Sequence, residues 1–429
     1  MTEPATSRDP QDLAQVVRLG AAQRPAGLHR ALVAEALVAA GWGANQFTPL
    51  SVVYRLEAGW STMAVVLVFT TYLAGLVPAL LLGCRTADRF GHRRVVRLAL
   101  AVTTAGSLLL ALAEASLVAV FVSRLATGVA AGLIVSAGAA WLRALSPGDD
   151  RGTRFAVYAT GAGFACGPLV AGTLAAWLPA PSVVPCLVHG GFALLVLALT
   201  ARIPEMCSIP GPPPAAPPGD RWSAITHPRF VGIVLPASPA IFAAVTVSYV
   251  VLPPFVLDRV RDHAPLFSGL VAALTLLVGL AVQPLAARID RPGSARATLV
   301  AMGTVVVGLL LGALAIEEVS PLLVLGAAVF LGAGYGLTLE SGLAEIGRLA
   351  SPGALPTVSA LFQGVAHSGF LAPLLLAVMA RSASYPELLG GLALIGFILL
   401  IGAAVRAARH AHQDPFRPDP TPQELTWDE

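Results

Sequence analysis

The chain has 429 residues, of which 56% are hydrophobic and 12% charged, with a net charge of +3 and a mean hydropathy of +0.76. A soluble globular domain carries about twice that charged fraction, and the basic residues here, all Arg with no Lys, stand between apolar runs rather than forming a nucleic-acid-binding face. The runs approach 20 residues, enough for a helix to cross a hydrocarbon core of about 30 Å, and the alternating segments of about 10 residues that mark a membrane β-barrel are absent. The expectation is an all-α polytopic membrane protein with the lipid bilayer as its surroundings and no nucleic-acid partner.

In chain order, residues 1–28 read as a disordered cytoplasmic tail, since they lack the short apolar core of a cleaved signal. Six spans are expected over 30–54, 62–83, 95–113, 117–142, 154–177 and 184–202, making an N-terminal six-helix bundle over 29–202. Between the second and third spans lies "GCRTADRFGHRR" at 83–94, one Asp among four Arg. Residues 203–229 carry "IPGPPPAAPPGD", a Pro-rich cytoplasmic linker that cannot cross a bilayer. Six further spans are expected over 230–256, 267–287, 297–316, 321–347, 356–380 and 387–406, a C-terminal bundle over 230–406 followed by a cytoplasmic tail at 407–429. By these boundaries 22 Arg lie on the side of both termini and 4 on the other. That bias places both termini in the cytoplasm, in the cell's inner (plasma) membrane.

The two halves echo each other. "DRFG" at 88–91 returns as "DRPG" at 290–293, "RALSPG" at 143–148 as "RLASPG" at 348–353, and "GFACGPL" at 163–169 as "GFLAPLL" at 369–375. The last two pairs share a shift of 205 residues and the first a shift of 202. Parallel repeats of this kind characterise one class of secondary transporter.

With charge loop, repeat and linker together, the chain resembles the Major Facilitator Superfamily over nearly its whole length. The loop motif G-x-L-A-D-R-x-G-R-[RK] is matched by Asp88, Arg89, Gly91 and Arg93, with departures at Cys84 and Thr86. "RLATGVAAG" in the fourth span is similar to the R-x-x-x-G motif through Arg124 and Gly128. "GFACGPLVAG" in the fifth is similar to the motif of proton-coupled antiporters through Gly163, Gly167, Pro168 and Gly172. The resemblance implies 12 transmembrane helices in two pseudo-symmetric six-helix bundles and, most similarly, the drug:proton antiporter branch. It further implies a cytoplasmic latch at Asp88, Arg89, Gly91 and Arg93, with a weaker copy at Asp290, Arg291 and Gly293.

Physical reasons support particular residues. An Asp at a helix end can accept from neighbouring helix N-termini and pair with Arg, while Gly91 permits a turn with positive φ. Arg124 is the only basic residue placed inside a span, about 10 Å from its boundary by helix rise. A buried cation there must face the protein interior and find partners, for which Asn45, Gln46 and carbonyls freed near "GWG" are candidates; the alternative is an Arg reaching the interface. Glu35 and Glu340 are carboxylates whose burial would favour the neutral form that proton coupling requires, or they simply reach cytoplasmic water. Gln363 completes the polar set. His189 and His367 are expected as hydrogen-bonded packing elements, and Tyr249 and Trp42 as aromatic packing. Pro236, Pro239, Pro253 and Pro254 should bend the seventh span, and Pro168 the fifth.

The leading expectation is proton-coupled efflux of hydrophobic or amphipathic small molecules by a monomer. The alternatives are import or exchange of a small metabolite, and lipid transport on the same scaffold. No paired carboxylate, G-x-S-x-G or P-loop is present, so neither an enzyme nor an ATP-driven pump is expected. No cofactor is expected, and no metal or disulfide, because Cys84, Cys166, Cys186 and Cys207 form no C-x-x-C pair.

Overall fold

The structure is a computed structural model that describes residues 10–112, 116–146, 151–203, 217–290 and 295–410, with side chains placed from 27 to 407 except at 151 and 218. No strand occurs among the described residues. Helix α1 (Pro10–Asn45) and α2 (Phe47–Leu56) are separated only by Gln46. The helix begins inside the stretch expected as a tail. Helices α3 (Thr62–Phe90) and α4 (His92–Leu110) meet at Gly91, whose φ of 91° and ψ of 137° are open to glycine alone among common residues. The next rod runs from α5 (Leu117–Leu133) through a π-helical turn at Ile134–Gly138 into α6 (Ala139–Ala144). Helices α7 (Arg151–Trp177) and α8 (Val184–Thr200) complete the first half.

A short α9 (Pro218–Thr226) lies within the stretch expected as linker. The seventh span is broken, as its prolines require. A π turn at Phe230–Val234 leads to α10 (Leu235–Ala237), α11 (Pro239–Thr246), a second π turn at Val247–Val251 and a 3-10 turn at Pro253–Val256. Proline removes a backbone donor and clashes with the preceding turn, so the helix can continue only by changing its hydrogen-bond register. The chain then passes through α12 (Leu257–Val260) to α13 (Ala264–Ile289), α14 (Arg296–Glu317) and α15 (Pro321–Leu349). It ends in α16 (Leu355–His367), α17 (Ala372–Met379) and α18 (Tyr385–His410).

Eight described segments are long and apolar enough to cross a membrane, and one of them, Phe230–Ile289, covers two of the expected spans. The fold is an all-α, polytopic one of 12 transmembrane helices in two six-helix bundles. Internal contacts divide the chain into Met1–Ala58 with Thr71–Gly211, and Gly59–Thr70 with Pro212–Glu429.

The sequence repeat reappears as repeated packing. Ser116 caps α5 by accepting from the Ala119 amide at 3.3 Å, and Ser320 caps α15 by accepting from Leu323 at 3.4 Å. Twelve residues after each cap serine stands a glycine against a neighbouring backbone: Gly128 against the Tyr72 carbonyl of α3, Gly332 against the Thr275 carbonyl of α13. One turn further, Gly132 approaches Leu76 and Gly336 approaches Gly279. Small residues let helices approach without a hydrophobic driving force between them, which a bilayer does not supply. The fifth-span glycines act the same way: Gly163 lies against Val38 and Gly167 against Trp42 of α1. Pro168 lies inside α7 and Gly172 is buried there.

Candidate functional site

Polar chemistry in the first unit converges on the one-residue break between α1 and α2. Arg124, 1% exposed on α5, lies between two aromatic rings, with its guanidinium carbon 4.9 Å from the Phe47 centroid and 4.7 Å from that of Tyr72. Its Nη1 donates to the Ala44 carbonyl at 3.1 Å. A cation over aromatic faces is stabilised by the ring quadrupoles, the more so when water is excluded. A planar guanidinium fits such a slot where an ammonium would not. The backbone carbonyl anticipated near "GWG" is thus present, at Ala44. Asn45 and Gln46, anticipated as side-chain partners of Arg124, turn their amide nitrogens elsewhere. Asn45 Nδ2 donates to the Phe164 carbonyl of α7 at 3.1 Å, and Gln46 Nε2 donates to Ser107 Oγ of α4 at 2.9 Å.

Ser107 continues inward to His189 of α8, whose Nδ1 is 2.6 Å away, and His189 Nε2 lies 3.0 Å from the Ala39 carbonyl. The His189 ring packs against Trp42 at 5.5 Å. Ser123, beside Arg124, donates to the Gly106 carbonyl at 2.7 Å. Gln46, Ser107, Ser123 and His189 are all fully buried. Buried polar groups seek hydrogen-bond partners, and the bonds made here tie four helices together.

The second unit has a different centre. Thr246 Oγ1 donates to the Phe242 carbonyl of its own helix at 2.8 Å and lies 3.5 Å from the Gly369 carbonyl, at the place where Asn45 meets Phe164, and Ser248 Oγ lies 2.7 Å from Thr275 Oγ1. Around these, Phe242 stacks on Phe370 at 4.6 Å and packs on His367 at 4.5 Å and Tyr335 at 6.2 Å. His367 Nδ1 donates to the backbone carbonyl of Gln363 at 2.6 Å.

Elsewhere in the second unit Asp290, at the C-cap of α13, pairs with Arg348. Arg348 Nη1 pairs with Glu345 Oε2 at 2.7 Å, and Glu345 Oε1 with Arg229 Nε at 2.7 Å. An alternating Arg–Glu–Arg–Asp chain therefore joins the end of α13, the end of α15 and the stretch before the broken seventh span. Arg291 and Gly293 of the same copy lie outside the described residues. In the first copy Asp88 is exposed and makes no ion pair or hydrogen bond among the described residues. Arg89 sits 5.3 Å over the Phe90 ring, and Arg93 donates to the Ala201 carbonyl at 2.9 Å. Glu35 is exposed, and Glu340 and Gln363 are half-buried.

Phe47, Tyr72 and Ser107 went unread in the sequence, as did the bridging role of Glu345. Phe47 and Tyr72 look like ordinary apolar-span aromatics. Glu345 was legible only as a sign that its span was ending.

The sequence profile of the Major Facilitator Superfamily matches residues 31–373. No curated protein sequence matches the chain. Among solved structures, that of the nucleoside transporter NupG is similar with a TM-score of 0.67 and 13% identity, covering 90% of this chain and 99% of the other. A POT family transporter in complex with 5-aminolevulinic acid is similar with a TM-score of 0.73 and 13% identity, covering 90% and 96%. At that identity the likeness concerns the fold.

Proposed function

The chain belongs to the Major Facilitator Superfamily, a family of transporters, and from that premise we propose that it is a secondary active transporter of a small hydrogen-bonding metabolite, working by alternating access. One observation carries this reading: Arg124, caged by Phe47 and Tyr72, sits beside Asn45 and Gln46 at a break in the first span. A site for purely hydrophobic cargo has no use for that polar investment. Broken helices expose backbone polar groups that bind solutes inside membranes. The solved structures of similar fold include a nucleoside transporter and one holding an amino acid, and polar cargo of that size suits the Arg124 region.

Proton coupling belongs to the same proposal, with Glu35 and half-buried Glu340 as the carboxylates that take up and release the proton. The cytoplasmic latch is assigned to Asp88, Arg89, Gly91 and Arg93 in one half. In the other half it is assigned to Asp290 with Arg348, Glu345 and Arg229. Gly163, Gly167 and Pro168 favour a second reading, export of amphipathic molecules, because they match the pattern of antiporters.

Proteoliposomes with an imposed pH gradient separate the two. Uridine, 5-aminolevulinic acid and the amphipathic cation ethidium serve as probes. Gradient-dependent movement of a polar probe, lost in Arg124→Ala and uncoupled from pH in Glu35→Gln or Glu340→Gln, is the expected result. Movement of ethidium alone would overturn it in favour of export. Transport indifferent to the gradient would remove the coupling.

A further inference from the structure

The chain of contacts from Ala39 to Gln46 has a direction that the chemistry of its members dictates. A backbone carbonyl only accepts, so His189 Nε2, 3.0 Å from the Ala39 oxygen, carries a proton. A neutral imidazole protonated there has an acceptor at Nδ1, and Ser107 Oγ at 2.6 Å must donate to it. The single hydroxyl proton is then spent, and Ser107 can only accept from Gln46 Nε2 at 2.9 Å. The Gln46 amide is thereby held with Oε1 turned the other way. That oxygen is buried and meets no hydrogen-bond donor among the described residues, although Gln46 is 0% exposed.

Two features show that the arrangement is built. A Cβ on Gly43 would stand 2.8 Å from His189 Cε1 and 3.0 Å from Nε2, so only glycine there lets the ring reach the Ala39 carbonyl. Next door Asn45 likewise commits its Nδ2 to a neighbouring helix, donating to the Phe164 carbonyl at 3.1 Å.

We infer that His189 is a positioning residue: through Ser107 it fixes the Gln46 amide so that this point of the site offers an acceptor and takes an N–H of the cargo. The inference rests on the polar-cargo reading, which it deepens by naming the group recognised. An acceptor left bare inside a protein is costly, and a donor brought by the cargo relieves that cost. Ser107→Ala frees the amide to turn over and present its NH2 instead. His189→Gln keeps a donor for Ala39 and an acceptor for Ser107, whereas His189→Leu keeps neither.

Two measurements on the full chain test this. In protein labelled with 15N-His, the resonance removed by His189→Gln should report a neutral ring with its proton on Nε2. In protein labelled with 15N-Gln, the side-chain signal removed by Gln46→Met should shift in Ser107→Ala and in His189→Leu, and return in His189→Gln. A cationic ring, a proton on Nδ1, or a Gln46 signal indifferent to Ser107→Ala would overturn the wire. Thermal stabilisation by uridine and by 3-methyluridine, which lacks the N3–H donor, tests the recognised group. Wild type should respond to uridine at concentrations at least about tenfold lower, and in Ser107→Ala the ratio should fall toward one. Equal potency in the wild type would overturn the donor assignment. Stabilisation by neither compound, with the Nε2–H signature intact, would support the wire while counting against the polar-cargo reading.

Discussion

The two halves share a skeleton and differ in what they bury. Starting from the cap serines, Ser116 and Ser320, both halves place a glycine against the neighbouring helix at Gly128 and Gly332. Four residues before the glycine the first half has Arg124 and the second has Ala328, each essentially unexposed. Asn45 reaches the Phe164 carbonyl where Thr246 lies 3.5 Å from that of Gly369, but among the described residues nothing in the second half matches the cation between Phe47 and Tyr72. Its centre is instead a stack of Phe242, His367 and Phe370. The charge chain is distributed oppositely. In the second half Glu345 bridges Arg229 and Arg348, and Arg348 pairs with Asp290, whereas Arg143 and Asp88 are exposed in the first, where Ala140 occupies the place of Glu345. Close helix contacts are therefore what both halves keep, and polar chemistry is what each half places for itself.

If that division is right, the largest effect should come from the residue with no counterpart. Arg124→Ala removes a desolvated cation–π pair and a charged hydrogen bond, together about 3–5 kcal/mol by central values. Arg124→Lys should rescue little, because an ammonium does not fill a slot between two rings. Denaturation of the purified protein measures this directly. A loss under about 1 kcal/mol would mean that the cage is incidental. Transport of the polar probes should fall with both variants.

Glu345→Gln comes next. It leaves Arg229 and Arg348, with side chains 20% and 35% exposed, without the carboxylate between them. Breaking a buried pair costs about 3–5 kcal/mol, and solvent screening at Arg348 brings the expectation to about 2 kcal/mol. The unfolding midpoint should drop accordingly, and 1 M salt should narrow the gap to wild type. Asp88→Asn in the other half should leave the unfolding free energy unchanged within about 0.5 kcal/mol.

The shared skeleton makes a paired prediction. Gly128→Ala places a methyl against the Tyr72 carbonyl, and Gly332→Ala places one against that of Thr275. Each should cost about 1–3 kcal/mol by overpacking, and the two values should agree within about 1 kcal/mol. A large loss in one half and none in the other would show that the symmetry is in the sequence but not in the mechanics.

Much of this architecture was open to reading in the sequence, because hydropathy and helix rise act along the chain. Spans near 20 residues, the Gly91 turn and the proline-broken seventh span all follow from local chemistry. Arg124 stood out because a cation in an apolar run must find partners. Which partners it finds depends on packing. The wire joins residues 61, 82 and 150 positions apart, and no periodicity links a serine at 107 to a histidine at 189. The charge motif shows the same limit from the other side. The fuller sequence match lies at Asp88, yet Asp290 is the one in a network, because Arg348 reaches it and Glu345 ties Arg348 to Arg229, from elements distant in the chain.

The smallest effect tests whether that last contrast turns on one side chain. Ala140→Glu supplies the first half with the acid it lacks, three residues before Arg143 on α6, as Glu345 stands before Arg348. Arg143 is exposed, so the new pair should contribute only about 0.2–1 kcal/mol, as exposed pairs do. A double-mutant cycle with Arg143→Ala isolates the coupling. Coupling in that range that is lost in high salt would mean that Glu345 needs Arg229 and Asp290 beside it to build a rigid chain. Coupling above about 2 kcal/mol would mean that one carboxylate makes the halves equivalent, and that the exposed Asp88 waits only for a partner.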